Sequence, residues 1–319
     1  MRLSVIVPVR DDAERLARCL ASIGAGDRRE QTEIIVADNG SRDDSPGVAA
    51  RAGATVLSLP RLKVSALRNA AAGQAQGDLL AFVDADHQLG PGWVDAALET
   101  MRDSSVGAAG SRYAAPPDGT WVQQMYGLLR GTTTGIADTD WLGSGNMVVR
   151  REAFDRVGGF DASLEACEDV DLCRRLRGEG FRIVGNERLH SIHHGDPPTL
   201  RALFRAERWR GRDNLRVSLR GPVAWRELPS IVMPILSLAA LITLAISPLV
   251  AALTGWNVWR LAFASAMLIL VLAVVRALRM TRNLDRPGLV VLARAFAAAL
   301  VYDTARAIAL VHKAPHHRR

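Results

Sequence analysis

The sequence predicts an α/β domain, a sheet with helices on both faces, followed by an apolar helical region long enough to cross a membrane. Three observations carry this reading. Over the first 200 residues, short apolar runs alternate with amphipathic helical patterns, as expected of strands threaded between helices. From Leu228 to Trp259 there is no charged residue, a run longer than the roughly 20 apolar residues that cross a bilayer. Charge is partitioned as well: residues 1–200 carry 22 basic and 28 acidic side chains, a net of −6. Residues 201–226 carry eight arginines against Glu207 and Asp213, and residues 276–319 carry nine basic residues against Asp285 and Asp303.

Taken in order, residues 3–9 read as a strand and 13–23 as a helix with Leu16, Cys19 and Leu20 on one face. The opening MRLSVIVPVR has too short an apolar stretch for a signal peptide. Residues 33–37 and 56–59 read as strands, 64–75 as a helix, 79–83 as a strand, and 91–101 as a helix with proline in its first turn. Residues 106–111 and 146–149 continue the strands, and the alternation argues for a parallel sheet. Ligands of such sheets bind at the carboxyl ends of the strands. Those ends hold Pro8, Arg10, Asp11 and Asp12, then Asp38-Asn39-Gly40-Ser41, then Asp84-Ala85-Asp86.

Composition narrows the class. With 319 residues, 49% hydrophobic and 23% charged, and a mean hydropathy of +0.07, the chain is not disordered and has room for more than one domain. Cys19, Cys167 and Cys173 are too few and too scattered for a disulfide framework or a four-thiolate zinc site. A reducing, cytoplasmic setting follows for the first domain. The basic blocks flank apolar sequence while the first 200 residues are net acidic, a membrane pattern that argues against nucleic-acid binding.

The first apolar run starts at Leu228 and contains Pro234 and Pro248, which are expected to kink it. A short link at 254–257 leads to a second run, 258–275, closed by Arg276 and Arg279. Arginine-rich blocks stand before the first run and after the second, so the positive-inside rule puts both ends of this hairpin in the cytoplasm. A third apolar stretch, 288–311, is interrupted by Arg294, Asp303 and Arg306. It reads as an interfacial helix or a third span, the interface being preferred. The expected organisation is a domain at 1–198, a basic interfacial segment at 199–227, a transmembrane hairpin at 228–279, and a third helix with a basic tail at 280–319. Within 199–220, arginines interleave with Leu203, Phe204 and Trp209, which suits a helix lying at the cytoplasmic face of a membrane.

Asp84 and Asp86, two apart on a segment leaving a strand, can lie near one hard cation such as Mg²⁺ or Mn²⁺, with a diphosphate completing the shell. Alone, such a pair is weak evidence and reads more readily as a solvated turn. It is not alone. VIVPVRDD, IIVADNGSRDDS, ALRNAAAGQAQGDLLAFVDAD, GNMVVRREAFDRVGGFD and EDVDLCRRLRGEGF follow one another over roughly residues 3–195. In that order and spacing they resemble the family 2 glycosyltransferases, inverting enzymes of the GT-A fold, which implies a Rossmann-like mixed sheet flanked by helices.

The resemblance implies a hexosyltransferase-type enzyme with a nucleotide-sugar donor and a divalent cation. Pro8, Arg10, Asp38 and Asn39 then match the segments that hold the nucleotide, with Asn39 standing where the family usually has a second acid. Arg68 matches a basic position near the nucleotide. Asp84 and Asp86 match the cation and diphosphate site, and His193 or His194 matches a histidine that completes the metal shell. Trp141, Gly143, Ser144, Gly145 and Asn146 resemble the acceptor-side loop. Glu168-Asp169 matches the family's acidic pair, with Asp169 as the base that takes the acceptor hydroxyl's proton and Glu168 assisting. The competing explanation, acids stabilising a helix's first turn, is compatible with that role. Residues 205–209 resemble the QxxRW motif of processive members, but Arg205 replaces the glutamine.

The expected function is therefore membrane-bound transfer of a sugar to a hydroxyl acceptor, with a polyprenyl-linked or glycolipid acceptor fitting the membrane segment. The catalytic domain is expected to face the cytoplasm. The alternative is a non-catalytic, membrane-tethered module of the same fold that binds nucleotide sugar or a partner enzyme. A sugar nucleotidyltransferase is disfavoured, because no glycine-rich phosphate loop follows the first strand.

Overall fold

The computed structural model describes residues 1–24, 31–221 and 228–311. Residues 222–227 of the expected interfacial segment and the basic tail at 312–319 lie outside the described residues. The chain divides into two compact units, one of residues 1–116 and 130–196, the other of residues 117–129 with 197 onward. The division after 196 falls close to the expected boundary at 198, but 117–129, expected in the first domain, packs with the second unit.

The first unit contains β1 (Leu3–Val9), α1 (Ala13–Gly24), β2 (Thr32–Asp38), α2 (Ser45–Arg51), β3 (Thr55–Ser58), α3 (Val64–Gln74) and β4 (Leu79–Val83). It continues with β5 (His87–Leu89), α4 (Trp93–Thr100) and β6 (Val106–Gly110). Then, after α5 (Trp121–Arg130), most of which belongs to the second unit, come β7 (Ile136–Asp138), β8 (Asn146–Arg150), α6 (Arg151–Arg156), α7 (Glu168–Gly178), β9 (Arg182–Asn186) and β10 (Ser191–His193). Among the described residues an eight-stranded sheet runs β3-β2-β1-β4-β8-β6-β9-β7, and β10 pairs with β5 in a separate ribbon.

Side chains on the central strands alternate between two cores, as a period of two requires. Leu3, Val5, Val7 and Val9 of β1 and Leu79, Ala81 and Val83 of β4 pack with Leu16, Cys19, Leu20 and Trp93. Ile6, Leu80 and Phe82 face the other way, onto Leu67, Ala71, Phe154 and Leu172. Burial on both faces is why these strands read as continuous apolar runs.

The sheet is mixed rather than parallel. β1 to β4 are parallel, whereas β8 lies antiparallel between β4 and β6, and β7 is antiparallel to β9. Alternation of apolar runs suggests a parallel sheet but does not encode strand direction; the antiparallel β8 and β7 agree instead with the mixed sheet that the GT-A resemblance implies. Helix α4 begins at Trp93 after Gly92, whose φ of 71° is left-handed, so Pro91 precedes the helix instead of opening it.

The second unit is helical: α5, α8 (Leu200–Arg210), α9 (Asn214–Ser218), α10 (Leu228–Thr254), α11 (Trp259–Thr281) and α12 (Leu289–Ala309). Small residues let these helices approach closely: Ala273 and Ala277 of α11 pack with Ala295, Ala298 and Ala299 of α12. At 27 and 23 residues, α10 and α11 are the two described helices long and apolar enough to cross a membrane. At 1.5 Å per residue they reach about 40 and 35 Å against a hydrocarbon core of about 30 Å. Gly255, at φ 67°, ends α10 in the left-handed conformation a helix stop requires. Trp256 and Trp259 are exposed where α10 turns into α11.

A charged network ties α5, α8 and α12 together. Glu207 is fully buried and accepts hydrogen bonds from Tyr126 Oη (2.6 Å), Arg210 Nη1 (3.0 Å) and Arg306 Nε (2.8 Å). Arg276 of α11 pairs with Asp303 of α12 at 2.6 Å. Removing one member of a buried ionic set leaves the other uncompensated. Glu207→Ala is therefore expected to cost about 3–5 kcal/mol of stability, read as a lowered melting temperature of the full chain in detergent. A wild-type melting temperature contradicts the assignment.

Candidate functional site

In an α/β sheet the ligand crevice lies where neighbouring strands lead off in opposite directions. Here that point is between β1, which leads on to β2, and β4 on its other side. A cleft of about 240 Å³ opens there, lined by Pro8 and Val9 at the end of β1, Arg10 and Asp12 after it, Asn39 after β2, Val64 and Leu67 of α3, and Asp84 to Asp86 after β4.

Asp86, His87 and His193 form the one group among the described residues able to hold a metal ion, with a ligand atom from each lying within 4.8 Å of the others. The antiparallel ribbon explains their meeting, because His193 stands directly opposite His87 in the β10–β5 register. His87 Nδ1 contacts Ser191 Oγ at 3.0 Å. His193 Nε2 faces Asp86 Oδ2 at 3.3 Å, and its Nδ1 contacts Asp196 Oδ1 at 2.5 Å. Asp196 is in turn gripped by both arms of Arg130, whose guanidinium lies over the Tyr113 ring. Partners of this kind orient metal-binding imidazoles.

Electrostatics separate the two histidines. Burial, aided by the charge of His193, pushes His87 down to about 3, so its ring is neutral. Burial also lowers His193, but the Asp86 and Asp196 carboxylates outweigh it and raise the ring to about 9. Burial would raise Asp86, yet His193 holds it well below the usual carboxylate range.

The site fits a divalent cation on two grounds. Once an ion displaces the proton that His193 carries in its absence, one carboxylate with two imidazoles is a donor set of borderline character, better matched to Mn²⁺-type ions than to Mg²⁺, which prefers oxygen throughout. Glycines also clear the ground around it. A Cβ on Gly195 would fall 1.8 Å from Asp86 Oδ2, and one on Gly145 would fall 2.8 Å from both Asp84 Oδ2 and His87 Nε2.

The acidic pair lies at the start of α7. The chain enters this helix through Cys167 in a left-handed conformation (φ 60°), uncommon for a residue with a side chain. Both carboxylates thus stand in the first helical turn, where the helix dipole favours anions. Glu168 is buried and accepts from Arg68 Nη1 at 2.8 Å and from the Ser144 hydroxyl at 3.2 Å. Asp169 is half-buried and accepts from the Val170 N–H at 2.8 Å. Burial first, and the neighbouring Glu168 charge second, raise Asp169 to about 7 against the opposing pull of Val170 N–H, Arg68 and Ser144 N–H. A carboxylate poised near neutrality is the property a general base needs.

Several candidate residues occupy positions the sequence did not foretell. Arg68 is 2% exposed, not a surface arginine, and its Nη2 donates to Asp84 Oδ1 at 2.6 Å. Asp38 is buried, its carboxylate accepting from the N–H groups of Gly40 and Ser41, so it holds a turn and does not line the cleft. Asn39 lines the cleft, but its amide clamps Leu62, donating to its carbonyl at 2.9 Å and accepting from its N–H at 3.1 Å. Asn146 was expected on the acceptor side. It is fully buried, accepting from Trp93 Nε1 and donating to the carbonyls of Ser111 and Leu189, so its amide is spent inside the core. His194 Nε2 contacts Gln88 Oε1 at 3.0 Å and is not in the metal cluster. Gly143 lets the loop pass close to the Tyr113 hydroxyl, and Trp141 is exposed. His87, Ser191, Asp196 and Arg130 were missed, although His87 directly follows the Asp84–Asp86 pair and Asp196 lies three residues after His193.

Residues 4–158 match the family model described as glycosyl transferase family 2. Over 226 residues the chain is 30% identical to O-antigen biosynthesis protein RfbC of Myxococcus xanthus, covering 60% of this chain and 17% of that protein. It is 28% identical to a pre-mycofactocin glycosyltransferase of Mycobacterium tuberculosis, covering 57% of this chain and 40% of the relative. It thus spans less than half the length of these two relatives. An N-acetylglucosaminyl-diphospho-decaprenol L-rhamnosyltransferase of M. tuberculosis is 29% identical, covering 70% of this chain and 91% of that one. Among solved structures, mannosyltransferase PcManGT of Pyrobaculum calidifontis, in complex with GDP-Man and Mn²⁺, superposes with a TM-score of 0.63 at 19% identity. That likeness covers 94% of this chain and 86% of the other.

Proposed function

We infer that this chain, a family 2 glycosyltransferase of the GT-A fold, is a membrane-bound inverting enzyme that moves a sugar from a nucleotide-sugar donor to the hydroxyl of a lipid-linked acceptor. One observation carries the reading above the non-catalytic alternative. The fold that gathers Asp86, His87 and His193 also holds Asp169 near neutrality, and Arg68 links Asp84 beside the first group to Glu168 beside the second. A module that only binds nucleotide sugar has no use for a tuned base.

The residues divide the work. Pro8, Arg10 and Asn39 form the nucleotide wall of the cleft. Asp86, His87 and His193 hold the cation, with Asp84 beside them; Asp196 and Ser191 fix the two rings. A cation there supplies positive charge against the charge that grows on the departing nucleoside diphosphate. Asp169 accepts the proton of the acceptor hydroxyl as that oxygen attacks the anomeric carbon from the face opposite the leaving group. Trp141 and the Gly143–Ser144–Gly145 turn form the acceptor side. The decaprenol-linked acceptor in the name of one relative, together with α10 and α11, supports a polyprenyl-type carrier. In this reading α10 and α11 cross the cytoplasmic membrane, α8 and α12 lie at its inner face, and the catalytic unit faces the cytoplasm.

The pH dependence follows from Asp169. It must be ionised to accept a proton, and its affinity is raised to about 7. The rate is expected to fall about tenfold per unit as pH drops below 7, and to level off above it. A profile flat from pH 5 to 8 removes Asp169 as the base.

The reading is tested by melting the detergent-solubilised chain with UDP-, GDP- and dTDP-linked sugars, each with and without Mn²⁺ or Mg²⁺. A ligand that binds only the folded state raises its stability. A metal-dependent rise with one nucleotide class is expected, larger with Mn²⁺ than with Mg²⁺. No rise with any of them favours the non-catalytic module.

A further inference from the structure

Arg68 joins two parts of the cleft that are far apart in sequence. Its side chain is 3% exposed on α3, with Nη2 on Asp84 Oδ1 at 2.6 Å and Nη1 on Glu168 Oε1 at 2.8 Å. The Ser144 hydroxyl steadies the same Glu168 oxygen, and the Phe160 ring lies 5.6 Å from the guanidinium carbon. Both terminal nitrogens are thus engaged with carboxylates. Val64 and Leu67 of the same helix line the cleft, but Arg68 does not. A buried guanidinium with each arm on a different acid is a fork, a geometry that an ammonium cannot reproduce.

We propose that Arg68 is a positioning residue for the base and not a nucleotide contact: by holding Asp84 with one arm and Glu168 with the other, it fixes the first turn of α7 against the end of β4 and so sets where Asp169 stands relative to the donor. The inference rests on the glycosyl-transfer reading and deepens it. Without Arg68, Glu168 loses its cationic partner in a buried place and the first turn of α7 loses its tether to β4. Asp169 then changes in both place and surroundings. The titratable groups around it are Glu168 and Cys173 of its own helix and Arg68 of α3, with the N–H groups of Val170 and Ser144.

The test uses Arg68→Lys and Arg68→Gln in the full chain in detergent. Transfer at saturating donor is expected to fall at least about tenfold in Arg68→Lys and about 100-fold in Arg68→Gln. Affinity for UDP or GDP with Mn²⁺ stays within about threefold in both. The titration midpoint of Asp169, followed by carboxyl ¹³C resonances without substrate, moves by about half a unit or more in Arg68→Gln. Because Arg68 acts through Glu168, that shift shrinks to less than about half its size when Glu168→Gln is already present.

Loss of nucleotide affinity with transfer at saturation intact overturns the proposal, as does an Asp169 midpoint that moves equally in both backgrounds. Should Arg68→Gln fail to fold, Arg68→Lys keeps the buried charge and decides by its rate and midpoint. If the wild-type chain transfers no sugar from UDP-, GDP- or dTDP-linked donors, the functional reading fails, while the Asp169 titration still tests the role of Arg68.

Discussion

Asp169→Asn is expected to lower sugar transfer by about 10³-fold while leaving metal-dependent nucleotide affinity within about threefold. The amide keeps the size and shape of the carboxylate but cannot take a proton at neutral pH. Asp169 is half-buried at the start of α7 and is not among the residues that line the nucleotide cleft, so donor binding loses nothing. The expected signature is a collapse of the rate at saturating donor with little change in the concentration needed to saturate. The change also removes a half-buried carboxylate held above its ordinary range. Its folded-state affinity is raised, so its ionisation opposes folding as pH climbs above the ordinary range and through about 7. The variant should therefore melt higher than wild type at pH 8, by a margin that shrinks steadily as pH falls below 7 and vanishes only at about pH 4. A variant with wild-type turnover, or one that loses nucleotide binding in proportion to rate, contradicts the assignment.

The second large effect concerns the cation. Asp86→Ala and His193→Ala each remove a ligand from the cluster, and each is expected to weaken Mn²⁺-dependent donor binding at least about 100-fold, measured by calorimetry with the nucleoside diphosphate. Asp196→Asn leaves the ligands in place but loosens the contact to His193 Nδ1 and the clamp from Arg130, so a smaller loss, about 10-fold to 100-fold, is expected. Gly195→Ala tests the space itself, since its Cβ would land 1.8 Å from Asp86 Oδ2. It should remove cation binding with no ligand altered. Donor binding that ignores both Mn²⁺ and these substitutions would mean that the cluster is not a cation site.

Which parts of this arrangement could be read in advance follows from what sequence encodes. Asp84, Asp86, Glu168 and Asp169 could be singled out as candidates because each stands at an element's end, where local pattern and family motif coincide. The two cores of the sheet were legible because β1 and β4 are apolar at every position but Ser4. His87 could not be singled out, because the role proposed for it depends on facing His193 across a ribbon of two three-residue strands. Strands that short carry no periodicity. The clamp of Asp196 by Arg130 depends on residues 66 apart meeting, and no local rule predicts such a pairing.

Arg68, Asp38 and Asn146 show the opposite case. Each matched a motif position that suggests a ligand contact, yet each side chain is buried and engaged with the protein itself. Motif position located the neighbourhood; only geometry separates side chains that face the cleft from those that build its wall. The helical unit was legible in α10 and α11 by length and lack of charge. The placement of α5 with these helices was not, because an amphipathic ten-residue helix has the same pattern whichever apolar surface it covers.

The central claim is sugar transfer to a membrane-held acceptor with Asp169 as base. The most direct measurement incubates membranes containing the full chain with Mn²⁺ and sugar-labelled UDP-, GDP- and dTDP-sugars, then extracts lipid and counts label in the organic phase. Label is expected in lipid from one nucleotide class, lost on chelation and lost with Asp169→Asn. Label reaching lipid equally from the Asp169→Asn membranes, or from none of the donors while soluble nucleoside diphosphate is released, would contradict that claim.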